Sequence, residues 1–216
     1  MFQSRNDRLL ELALQFAKAL NRLLNQTVTD GVRLGAFVGL DNLARVGYQL
    51  SATRRKGLPV PLRFRGAKPV LDMWLLYTFD LDEVGKTLEP VKSLLELQLH
   101  DADRIVAYDF DRDSTNGYPV AHVHLNARSE AVDAVLRKAG QPKRRLSKWH
   151  VPVGGEFFPP SAAHVLELPI VEELVKARSG WQDAINRFNQ MHYEQQLILV
   201  MRKMREVALA ETNTWV

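Results

Sequence analysis

Between Leu71 and Ala127 apolar side chains recur at every second position, and no other feature of the chain constrains its fold as strongly. A period of two belongs to a β-strand with one buried face. It predicts four strands, at Met73 to Leu81, Leu94 to His100, Ile105 to Asp111 and Val120 to Leu125. The connectors are short, so an antiparallel four-stranded β-meander is expected.

Helical spacing surrounds this meander. Leu9, Leu12, Ala13, Phe16, Leu20, Leu23 and Leu24 predict an amphipathic helix from about Asn6 to Asn25, with Ser4 and Asp7 placed as a capping box. Thr27 to Pro69 is rich in glycine and proline and reads as short strands and loops. After Arg128 a helix is expected from about Glu130 to Ala139. A basic loop, an extended piece at Trp149 to Val153 and a turn at Gly154-Gly155 follow. Pro159-Pro160-Ser161 starts another helix, with Ser161 as its cap; Pro169 either kinks it or opens a further helix to Arg178, stopped by Gly180. Trp181 to about Glu211 reads as one long helix whose apolar residues, among them Ile185, Phe188, Leu197, Met201, Val207 and Leu209, spread widely around it. Such a helix is either clamped across the domain or shared with another chain.

The expected fold class is therefore α+β: an N-terminal helix, the meander, and C-terminal helices including a long terminal one. The chain of 216 residues suits one domain, with residues 1–70 as helix and basic loop region, 71–127 as meander and 128–216 as helical part.

Strand parity gives the chemistry an address, because opposed residues on neighbouring strands share a face. Val106, Tyr108 and Phe110 point one way, and Ala107, Asp109 and Asp111 the other. Val123 and Leu125 belong to the apolar side, which puts His122 and His124 on the face of Asp109 and Asp111. The same reasoning adds Asp80, Glu96 and His100. A solvated sheet face is polar in any case. Asp-x-Asp beside His-x-His is nonetheless the composition of acid–base or metal chemistry, with His122, His124 and Asp109 as metal ligands if a divalent metal is the cofactor. His150, beside Trp149 and ahead of Pro152-Val153-Gly154-Gly155, is a weaker candidate, either near an anion-binding turn or beside a plain one. His164 and His192 lie on expected helices and read as structural.

The chain has no cysteine, which excludes disulfides, thiolate nucleophiles and cysteine-ligated metal centres. No Walker or Rossmann glycine loop and no nucleophile elbow is present. Met1 to Leu10 carries Arg5, Asp7 and Arg8 where a signal peptide would be apolar, and no stretch is long and apolar enough to span a bilayer, so a cytoplasmic protein without membrane contact is expected. The net charge of +4 gains meaning from its distribution. Asn42 to Leu71 lacks acidic residues and holds Arg45, Arg54, Arg55, Lys56, Arg63, Arg65 and Lys68. The interval between Asp133 and Glu156 holds Arg137, Lys138, Lys143, Arg144, Arg145 and Lys148. These stretches are either solvated loops or a phosphate-binding surface in which Arg54, Arg55, Lys56, Arg144 and Arg145 contact nucleic acid.

Tyr108-Asp109-Phe110-Asp111, Tyr118-Pro119-Val120-Ala121-His122-Val123-His124, and Val151-Pro152-Val153-Gly154-Gly155 stand in one order with the apolar stretch to Val171. This order resembles uncharacterised bacterial families in which a Pro-x-x-His-x-His strand precedes a Pro-x-Gly turn and a helix. Some of their members look toxin–antitoxin or defence-linked. More loosely, the helix, meander, Tyr-Pro turn and following Trp are similar to the ubiquitin-conjugating-enzyme fold, whose cysteine is missing here. The function expected is a phosphodiesterase or nuclease using His122, His124, Asp109 and Asp111. The alternative is a non-catalytic scaffold that binds a protein partner, or a second copy of itself, through the sheet face or the C-terminal helix.

Overall fold

A computed structural model describes residues 4–63, 66–155 and 158–212, with the backbone alone at 206–212. Arg65 in the first basic stretch, and the side chains of Val207 and Leu209, lie outside the described residues.

The N-terminal helix α1 spans Arg5–Thr27, and Ser4 caps it by accepting the Asp7 backbone N–H at 3.1 Å. Its buried stripe runs Leu9, Ala13, Phe16, Ala17, Leu20, Leu23 and Leu24. Three strands then come from the glycine- and proline-rich stretch: β1 (Leu34–Val38), β2 (Ala44–Tyr48) and β3 (Val60–Leu62). The meander follows as β4 (Leu71–Leu81), β5 (Leu88–Leu99), β6 (Arg104–Asp111) and β7 (Ala121–Leu125). After α2 (Glu130–Lys138) and a single 3-10 turn at Leu146–Lys148 comes β8 (Val151–Pro152). The chain closes with α3 (Ala162–Val171) and α4 (Trp181–Thr212).

The expected meander is present, but it is the centre of a sheet of eight strands rather than four. The order is β1-β2-β4-β5-β6-β7-β8, with β3 sharing an edge of β4 with β2. All pairs are antiparallel.

One face of the sheet buries Met73, Leu75, Tyr77, Phe79, Leu95, Leu97 and Val106 beneath the helices. Phe16 of α1 meets Tyr77 and Phe79 edge-on, with ring centroids 5.0 and 4.9 Å apart, and it also touches Phe188 of α4. These rings place α1 and α4 on this side. Ser161 caps α3 through the Ala163 N–H, and the Ala162 N–H donates to the buried Tyr77 hydroxyl at 3.1 Å.

Pro169 falls in the last turn of α3, where little helix remains to be broken. A further helix to Arg178 does not form. Glu173 takes a left-handed φ of 56°, and the Leu174 and Val175 N–H groups both return to the Pro169 carbonyl. That closure ends the helix, and the segment then crosses to Thr27, whose carbonyl accepts the Arg178 N–H.

Candidate active site and metal centre

On the opposite face, residues line up in rows across the strands. Trp74, Glu96, Ala107 and His124 make one row, and Leu76, Leu94, Asp109 and His122 the next, continued by Pro152 of β8. Thr78, Lys92 and Asp111 make a third. Register therefore sets Asp109 directly opposite His122, with His124 two residues along the same strand.

The Asp109 Oδ2 atom lies 3.5 Å from His124 Nε2 and 3.9 Å from His122 Nε2. His122 Nδ1 lies 2.7 Å from the Pro119 carbonyl oxygen, which can only accept, so Nδ1 carries a hydrogen and, whenever the ring is neutral, the lone pair is on Nε2. β8 supplies a third imidazole. Its register with β7 runs His122 to Pro152 and Val123 to Val151, so the next step brings His150 beside His124. Ring centroids separate by 4.4 Å for His124 and His150, 4.8 Å for His122 and His150, and 5.0 Å for His122 and His124. Tyr118, from the β6–β7 connection, stacks flat on His150 at 3.6 Å and holds that ring from behind.

Burial holds His124 below the ordinary imidazole range, reinforced by His122 and Arg104, while Asp109 opposes it. Burial also lowers His150, with His124, His122 and Arg144 acting in the same sense. Two imidazoles of the cluster thus favour the neutral form, which can accept a proton or bind a metal. The cluster adjoins an open cavity of 320 Å³, lined by His122, Asp109, Asp111, Lys92, Leu94 and Asn116 among others. Among the described residues, no helix contributes to its lining.

The remaining expected residues have their own partners. Asp111 lines the cavity but pairs with Lys92 at 2.9 Å, and its Oδ1 atom is buried without a hydrogen-bond partner among the described residues. Glu96 binds Arg104 at 2.7 Å beside His124. His100 forms a separate group at the end of β5, with Nδ1 2.8 Å from the buried Asp72. Asp80 pairs with Arg5 of α1. Arg54, Arg55 and Lys56 are exposed in the loop after β2, and the Trp74 indole N–H donates to the Lys56 carbonyl at 3.0 Å, which ties this loop to the row that ends in His124. Arg144 and Arg145 are exposed between α2 and the 3-10 turn; Arg144 is close enough to His150 to act on its charge.

The chain matches no family model, no curated protein and no solved structure.

Within this cluster, His150 has the weakest signal in the sequence. Extending strand parity from His122 and His124 to the extended piece at Trp149 to Val153 would have found it. The Gly154-Gly155 pair that follows makes a tight turn: Gly154 has φ +70°, and a Cβ there would run into the Phe158 carbonyl. His192 Nε2 lies 3.2 Å from the Pro159 carbonyl oxygen, which can only accept, and 2.6 Å from the Gln196 side-chain amide inside the helical layer, and His164 meets Tyr193, both in structural settings.

Proposed function

We propose that the protein is a phosphodiesterase that cleaves nucleic acid on the open face of its sheet. One observation carries this reading: His122, His124 and Asp109 stand together beside a cavity, with Arg104 on the β5 side and Arg144 on the β8 side close enough to affect the imidazoles. A neutral imidazole beside a carboxylate is the pairing a general base needs, and the second imidazole can return the proton to the leaving oxygen. Guanidinium groups at the rim would stabilise the charge that develops on the phosphoryl oxygens. Asp111 and Lys92 form the far wall of the cavity and orient substrate in this scheme. The loop of Arg54, Arg55 and Lys56, attached to the same row through Trp74, extends the basic track for the strand to either side of the scissile phosphate.

The test is cleavage of single-stranded RNA and DNA by wild type and by His124→Ala. Cleavage that depends on His124 supports the reading. No cleavage of any phosphodiester by wild type would remove it.

A partner-binding role draws on a different feature. Leu197, Met201 and Met204 are 50%, 69% and 67% exposed at helical spacing on α4, a stripe that a soluble helix would normally cover. Sedimentation of the full chain separates this reading from the first, since a Leu197→Glu/Met201→Glu variant would then change assembly and leave cleavage untouched.

A further inference from the structure

We propose that His122, His124, His150 and Asp109 together form a site for one divalent transition-metal ion of the zinc type. The site rests on the same side chains as the proposed phosphodiesterase, but not on that reaction.

Four independent geometric facts converge on it. Each of the three histidines offers a ring nitrogen, and these atoms all lie within 4.8 Å of one another. The Asp109 carboxylate stands 3.5 and 3.9 Å from two of them. Donors held at zinc distances around a tetrahedral ion lie about 3.3 Å apart, so binding would require the three ring nitrogens to close from at most 4.8 Å and the Asp109 carboxylate to swing in towards them. The Pro119 carbonyl on His122 Nδ1 is the outer hydrogen bond that metal-bound histidines characteristically make, and it aims the Nε2 lone pair into the cluster. Finally, His150 Nδ1 is buried with no hydrogen-bond partner among the described residues. A buried ring nitrogen left unsatisfied is costly. An ion at the centre of the three rings would satisfy it.

The donor set also selects the ion. Three imidazoles and one carboxylate, without a thiolate, suit zinc, nickel, copper or iron; calcium and magnesium require shells of oxygen. The other group with suitable residue types among the described residues, Asp72, His100 and Asp101, differs in kind. There His100 Nδ1 already hydrogen-bonds Asp72 at 2.8 Å and its Nε2 forms an ion-pair contact with Asp101 at 3.3 Å, so that group is satisfied internally.

The experiment treats the full chain with a chelator, then titrates it with Zn²⁺ alone and, separately, with Co²⁺. One zinc per chain is expected, and the cobalt form should show the intense visible absorption of a four-coordinate site. His150→Gln and Asp109→Asn should each weaken zinc binding by at least about tenfold, whereas His164→Gln should leave it unchanged. Circular dichroism of each variant separates lost ligands from lost fold, and the wild-type cobalt spectrum tests the site without any variant. Cobalt absorption typical of the six-coordinate aqueous ion, or zinc affinity indifferent to His150→Gln in a folded variant, would overturn the assignment. Cleavage by a wild-type chain that takes up no zinc at saturating Zn²⁺ would overturn this site and keep the phosphodiesterase. Stoichiometric zinc without cleavage would do the reverse.

Discussion

The Pro119 carbonyl oxygen lies 2.7 Å from Nδ1 of His122, three residues further along the chain. Because a carbonyl only accepts, this contact fixes the tautomer, with hydrogen on Nδ1 and the lone pair on Nε2 facing Asp109. Free imidazole side chains prefer the other tautomer, so the contact should be visible in solution. Long-range proton–nitrogen correlation spectra of the metal-free protein at pH 8 are expected to show His122 protonated at Nδ1. A spectrum with the hydrogen on Nε2 would mean that the turn at Pro119 does not orient this ring.

Removing either strand histidine should cost turnover without costing the fold. Loss of a positioned acid or base lowers rate by about 10²- to 10⁴-fold. For His122→Ala and His124→Ala, kcat should fall by that factor while RNA binding stays nearly intact. Parallel kcat and binding measurements check it; binding that collapses with turnover would assign the histidines to substrate anchoring instead.

The basic segments predict a salt dependence. If Arg54, Arg55, Lys56, Arg144 and Arg145 contact phosphates, log affinity should fall by about 0.7–0.9 per log unit of salt for each contact. Reversing the charge of Arg144 and Arg145 should weaken binding to all sequences alike and flatten the slope. Filter-binding or anisotropy titrations across a salt series measure both. Affinity indifferent to salt would exclude a phosphate track.

Acid should destabilise the helical layer through His192. Burial pushes this imidazole down to about 4, against about 6.5 when unfolded. The unfolded chain therefore binds the proton more tightly. The stability His192 contributes is complete above pH 6.5 and is lost as pH falls from there towards 4, a loss of about 3 kcal/mol. Urea unfolding between pH 7 and pH 5 should show stability falling with pH, and His192→Asn should reduce that slope by about one proton.

Phe16 is the keystone between α1 and the sheet. It is 4% exposed and wedged edge-on against Tyr77 and Phe79. Phe16→Ala should cost about 3–5 kcal/mol, the range for emptying a buried aromatic site. A denaturant midpoint shift much smaller than this would show that α1 can repack without it.

Much of this arrangement was legible in the sequence because its signals are local. The stripe of Leu9, Ala13, Phe16 and Leu20, started by Ser4, reads as α1 from spacing alone. Alternation likewise assigns Val106, Tyr108 and Phe110 to the core face and Asp109, His122 and His124 to the other, since a strand gives its side chains only two directions. β1, β2 and β3 were less legible. Their glycines and prolines dilute the alternation, and these short strands form by pairing, β2 and β3 with β4 and β1 with β2, rather than by their own propensity.

What the sequence by itself determined is which face each side chain takes; the tertiary structure decided which side chains meet. Alternation fixes direction but says nothing about position along the strand. Irregular register at Thr78/Phe79 and at Leu97/Gln98 further shifts what lies opposite what. Asp111, His100 and Asp80 thus take separate partners, Lys92, Asp72 and Arg5, although the pattern grouped them with Asp109. His150 joined the cluster for the converse reason. It lies 26 positions beyond His124 in the chain, and only the pairing of β8 with β7, a contact no local periodicity encodes, closes that distance.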